Sequence, residues 1–252
     1  MKRVLSRVVL ASGVLLGITA VSPSFAADAA GPAKPDAAKG AQLYEQGDAA
    51  RGVVACVSCH GAAGNSTIPA NPNLAAQSHE YLYKQLVNFR PAEGAKEPLR
   101  KGADGAPSMM TTMATPLTDA DMRNVAFFLS QQKLTEPATA TNEKSVERGQ
   151  KIWRAGIPER NVAACAGCHS PNGAGIPAQF PRLAGQFPSY IEDQLKLFRA
   201  GHRANGPMMN QIADRMNDAD IKAVSDYAAG LRYFKFNPAE LLPGELIKGG
   251  VF

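Results

Sequence analysis

The sequence predicts an all-α fold built from two tandem copies of one helical domain. Three observations predict it: the chain repeats itself, apolar residues recur at three- and four-residue spacing, and no stretch alternates as a strand. At 252 residues, 45% hydrophobic and 19% charged, the composition excludes a disordered tail, a collagen-like repeat and a multi-span membrane protein.

Residues 1–26 begin with Lys2, Arg3 and Arg7, run apolar over 8–21 and end at Ser24, Phe25 and Ala26, the layout of an export signal peptide. A retained anchor is the poorer reading, because the apolar run falls short of the roughly 20 residues that cross a bilayer. Cleavage removes three of 27 basic residues, leaving 24 against 22 acidic ones and a net charge of +2. Basicity therefore gives no ground for a nucleic-acid or anionic-membrane partner. Export also places the mature chain in an oxidising compartment. Residues 27–38, rich in Ala, Pro, Asp and Lys without periodicity, read as a flexible leader.

The repeat is found by laying the chain on itself. Cys56-Val-Ser-Cys59-His60 returns as Cys165-Ala-Gly-Cys168-His169, an offset of 109. Gly40 and Tyr44 answer to Gly149 and Trp153, and the run Pro-x-Leu-Ala-x-Gln ending at Gln77 answers to that ending at Gln186. Tyr81, Gln85, Leu86, Phe89 and Arg90 answer to Tyr190, Gln194, Leu195, Phe198 and Arg199. From Met110, which pairs with Met209, the offset is 99, so the first copy carries ten extra residues within 91–109. The copies span 39–134 and 143–231, joined by a polar, Pro-containing linker over 135–142 and followed by an extension over 232–252.

Within each copy a first helix is expected over 39–46 and 146–154, and a second over 79–90 and 188–199 with Tyr, Leu and Phe on one face. The last helix follows the N-cap signals Thr118-Asp119 and Asn217-Asp218. Three helices and much loop make a thin core, so a large apolar group is expected to fill each copy. The 91–109 excess holds three charges of each sign and reads as a solvated loop, with a role in shaping partner docking as the sharper alternative.

Cys-x-x-Cys-His is the attachment signature of a c-type haem: both thiols add to the porphyrin vinyl groups and the next residue, His, reaches the iron. The pattern assigns Cys56, Cys59, Cys165 and Cys168 to two haem c groups, with His60 and His169 as iron ligands. A shared zinc site would want its two Cys pairs about 15–20 residues apart, whereas Cys59 and Cys165 are separated by 106. A thioredoxin-like dithiol lacks its strand-rich setting, and disulfides would not require the histidines.

Methionine suits the sixth iron position of an electron carrier, because a thioether favours ferrous iron and closes the site. Register favours Met110 and Met209. Met109 and Met208 also align with each other and stay open as candidates, while Met113 aligns with Ile212, which cannot ligate. Met122 and Met216 read as packing residues. His79 and His202 lack counterparts and read as surface histidines, with His202 a distant ligand alternative.

Taken together, the two haem signatures, the Pro-x-Leu-Ala-x-Gln run, the Gln-Leu-x-x-Phe-Arg helix and the Met-x-x-x-Ala approach to the last helix resemble the bacterial dihaem cytochrome c4 family over about residues 40–231. The resemblance implies two class I cytochrome c domains, each wrapped around one covalent haem with His/Met ligation. It implies periplasmic electron transfer between redox proteins, such as a membrane-bound oxidase or quinol-oxidising complex, with membrane contact only through such partners. It also implies that Gly40 and Gly149 let the first helix cross the last closely, with Tyr44 and Trp153 covering the haem edge. No general acid/base pair or nucleophile stands out, so a carrier is expected, not an enzyme. The rivals are a dihaem peroxidase, which needs one open iron, and an electron-accepting subunit of a periplasmic dehydrogenase.

Overall fold

The computed structural model describes residues 34–232; the expected signal peptide, most of the expected leader and nearly all of the 232–252 extension lie outside them. Ten α-helices form among the described residues, and the extended contacts there are isolated bridges that build no sheet.

The first copy contains α1 (Ala37–Gln46), α2 (Val57–His60), α3 (His79–Asn88), α4 (Met109–Ala114) and α5 (Asp119–Ser130); the second contains α6 (Glu143–Ala155), α7 (Ala166–His169), α8 (Pro188–Arg199), α9 (Pro207–Asp214) and α10 (Asp218–Gly230). Helix α1 starts two residues before the expected boundary. The Asp36 carboxylate causes this by accepting the backbone N–H groups of Ala38 and Lys39 as an N-cap. Helices α4 and α9, which carry the methionine candidates, were not expected as helices. They are too short, at six and eight residues, to show a full apolar period.

The last helix of each copy opens on a capping box, Thr118 with Asp121 and Asn217 with Asp220. Each first helix crosses its copy's last helix where a glycine removes the side chain. A Cβ on Gly40 would stand 2.1 Å from the Asn124 carbonyl oxygen, and one on Gly149 would stand 2.4 Å from that of Ala223. Tyr44 and Trp153, one turn further on, are fully buried at these crossings and pack near Phe128 and Tyr227 with ring centroids 5.6 and 6.4 Å apart. Separate apolar clusters centre on Tyr44, Met122 and Val125 and on Trp153, Ile221 and Val224. Met122 and Met216 pack in these cores, as expected.

Segment 135–142 has no regular structure, yet it is tied to both copies: Thr135 N–H donates to Asn65 Oδ1 at 2.8 Å and Thr141 N–H to Asp226 Oδ1 at 2.8 Å. The two copies meet through equivalent residues. Gln186 Nε2 donates to the Asn73 carbonyl and Gln186 Oε1 accepts from the Asn73 N–H, at 2.9 and 3.0 Å. In mirror fashion Gln77 Nε2 donates to the Arg182 carbonyl and Gln77 Oε1 accepts from the Arg182 N–H, at 3.1 and 2.8 Å. Each residue and its counterpart obey the offset of 109, so the interface is self-complementary like that of a two-fold dimer.

Candidate functional site

Each haem signature folds as one helical turn. Residues Cys56 and Cys165 sit at the N-caps of α2 and α7, and the His N–H bonds back to the first Cys carbonyl at 3.0 Å in the first copy and 2.9 Å in the second. That turn puts both sulfurs and the imidazole along one side of a short helix. No disulfide joins the four cysteines, and as thiols Cys56 is pushed by burial up to about 11 and Cys165 to about 12. Thiols that reluctant to ionise do not suit a reactive dithiol, which needs a lowered value. No cluster of three or more His, Cys, Asp or Glu placed to hold a metal ion occurs among the described residues, so no zinc-type donor set forms.

Residues His60 and His169 are buried, and each places Nδ1 3.0 Å from a proline carbonyl, Pro72 for one and Pro181 for the other. A carbonyl only accepts, so Nδ1 carries the proton and Nε2 keeps its lone pair free. Burial holds both imidazoles below their usual range, and Arg203 adds a smaller push in the same direction at His169. A neutral, orientation-locked imidazole is what an iron ligand requires.

The methionine candidates separate by exposure. Residues Met109 and Met208 are 75% and 57% exposed, whereas Met110 and Met209 are half-buried and Met209 packs against the second core. Successive helical residues point about 100° apart, and here it is Met109 and Met208 that turn toward solvent.

Two groups escaped the sequence reading. Arg100, inside the 91–109 excess, is only 6% exposed, and Arg203 only 5%. That loop is solvated over most of its length, but not at Pro98 and Arg100. Gln194 Oε1 accepts from both guanidinium groups at 2.8 Å, Gln85 Oε1 accepts from both at 3.2 Å, and each cation lies over an aromatic ring, Phe89 or Phe198. No carboxylate pairs with either arginine among the described residues. Burying a guanidinium without a counter-ion is strongly unfavourable. The pair therefore fits a group that brings its own carboxylates, as haem does with its propionates. Neither Arg could be found from the fixed offsets, because the alignment breaks there.

The histidines outside the signatures are less exposed than expected. His79 is half-buried with its ring 5.7 Å from Phe127. His202 is half-buried beside Gly105, with a buried, unpartnered Nδ1.

Comparison with known proteins agrees with this arrangement. The family model described as Cytochrome c matches residues 37–133 and 146–231. Cytochrome c4 of Thiocapsa roseopersicina is 41% identical over 180 residues, covering 70% of this chain and 86% of that protein. A thiosulfate dehydrogenase electron acceptor of Stutzerimonas stutzeri is 36% identical over 199 residues, covering 77% and 87%. The structure of reduced recombinant cytochrome c4 from Pseudomonas stutzeri superposes with a TM-score of 0.64 at 35% identity, covering 79% of this chain and 100% of that one. With two domain matches, two haem signatures and this fold, the chain belongs to the cytochrome c family, as a member of its dihaem cytochrome c4 branch carrying two haem c groups.

Proposed function

We propose that the chain is an exported, periplasmic carrier of single electrons, in which Cys56 and Cys59 hold one haem with His60 and Met110 as axial ligands, and Cys165 and Cys168 hold the other with His169 and Met209. The observation that carries this reading is the duplication of one donor set: a thiol pair, an imidazole locked through Nδ1, and a half-buried methionine. When bound, each haem supplies a ferric–ferrous couple.

The chain's own residues do the rest. Donation from Nδ1 to Pro72 or Pro181 fixes the ring and raises its basicity toward iron. The two methionines close the remaining positions and favour the ferrous state. Positive charge for the propionates comes from Arg100 and Arg203, and Tyr44 and Trp153 cover the haem edges. A dihaem peroxidase needs two unlike sites, and the matching of the copies disfavours it.

The proposed partners are a membrane-bound oxidase or a quinol-oxidising complex, with no nucleic acid. Similarity to a thiosulfate dehydrogenase electron acceptor favours a second reading, in which the chain takes electrons from a periplasmic dehydrogenase. The chemistry is shared and only the donor differs. No helix among the described residues is long and apolar enough to cross a membrane.

Optical spectra of the oxidised protein test the assignment. The Met–iron charge-transfer band should account for two haems, fall by half in Met110→Leu or Met209→Leu, and stay whole in Met109→Leu and Met208→Leu. A high-spin haem with peroxide turnover in the unaltered protein would overturn the carrier reading. Reduction rates with a purified dehydrogenase and with a quinol-oxidising complex then separate the two donors.

A further inference from the structure

The interface glutamines and the signature histidines share single peptide groups. His60 Nδ1 donates to the Pro72 carbonyl, and the N–H at the other end of that same peptide, on Asn73, donates to Gln186 Oε1 of the second copy at 3.0 Å. In the mirror arrangement, His169 Nδ1 donates to the Pro181 carbonyl, whose peptide N–H on Arg182 donates to Gln77 Oε1 of the first copy at 2.8 Å. Gln77, Gln186 and Asn73 are all buried, so water does not compete for these bonds.

From this geometry we infer that Gln186 and Gln77 are positioning residues acting crosswise: the glutamine of each domain tunes the proximal histidine, and hence the potential, of the haem in the other domain. The physical link is hydrogen-bond cooperativity. A peptide that donates through its N–H is polarised and becomes a better acceptor at its oxygen, and low dielectric strengthens the effect. A better acceptor draws the Nδ1 proton, makes the imidazole a stronger donor to iron and favours the ferric state. The relay needs no movement of either domain. It rests on the reading that His60 and His169 are axial ligands.

A glutamine that only fastened two domains would affect both haems alike or neither. The decisive variant is Gln186→Met, close in volume but lacking the amide, studied as the dihaem protein. Redox titration would be followed by the hyperfine-shifted haem methyl resonances, which report each haem separately. The potential of the haem on Cys56 and Cys59 should rise, and the His60 ring N–H should exchange with solvent several-fold faster. The haem on Cys165 and Cys168 should not move. In Gln77→Met the two haems exchange roles. An effect on the haem of the substituted domain, an equal effect on both, or none would overturn the relay. If Gln186→Met loses haem, Gln186→Asn, one methylene too short to span the contact, carries the same expectation. Absence of a low-spin, His-ligated spectrum in the unaltered protein would instead refute the ligand assignment beneath the relay.

Discussion

Gly149 lies so close to Ala223 that a methyl group on its α-carbon would stand 2.4 Å from the Ala223 carbonyl oxygen. Because that neighbour is helix backbone, it cannot rotate away. Gly149→Ala should push α6 from α10 and destabilise the second domain by about 1–3 kcal/mol, the usual cost of overpacking. Denaturant unfolding followed at the second haem checks this, and the first haem's transition should stay in place.

Buried Asp220 accepts hydrogen bonds from both Arg148 and Arg160 while closing the α10 capping box. Burial alone would raise its carboxyl, but the two arginines outweigh that and hold it below the usual carboxylate range. A depressed folded value means stability that is fully present above about pH 4, the unfolded carboxylate value, and lost as pH falls through the folded one. Asp220→Asn should cost about 1–2 kcal/mol near neutrality, because it removes charge-assisted hydrogen bonds to two arginines that water can still reach. Melting temperatures against pH should show the gap between the two proteins closing in acid.

The Tyr44 hydroxyl donates to the Gly61 carbonyl at 2.6 Å and accepts the buried Gly64 N–H at 3.1 Å. Tyr44→Phe leaves that N–H only its longer, 3.3 Å bond to the Gly61 carbonyl and takes the hydroxyl donor from the same carbonyl, so it should cost about 0.5–1.5 kcal/mol. Chemical unfolding read at the first haem measures it.

Arg203 already bears electrostatically on His169. Arg203→Gln removes a buried positive charge that acts on His169, the proposed ligand of the second haem, so the ferric state should gain and the potential fall. The expected size is on the order of 1 kcal/mol, the scale of charge interactions at intermediate dielectric. Potentiometric titration of holoprotein with two haems per chain reads the shift.

Much of the architecture was legible because it is local. The longer helices advertised themselves by spacing, and the caps at Thr118 and Asn217 by side-chain type. Expected bounds drifted where the apolar pattern outlasts the helix: α3 stops at Asn88 although Phe89 and Arg90 continue the periodic run. The proposed donors His60 and His169 stand in the duplicated signature, and the structure buries both. The interdomain contacts were not legible, although the repeat had displayed their parts. Gln77 and Gln186 stood out as a matching pair, but a polar side chain whose partner lies in the other copy leaves no periodic trace. Arg100 was hidden for another reason: it sits in a charge-rich insertion, where a cation normally means solvent.

Asn73 and Gln186 are separated by 113 positions along the chain, whereas the pairings that build either domain are contained within one copy. Closing so long a loop costs entropy before any contact rewards it. Each domain is therefore expected to condense around its own haem first, with the amide clamps closing last. A chain given only its first haem should then hold one finished domain whose mating surface, Gln77 included, faces water until the second half is complete.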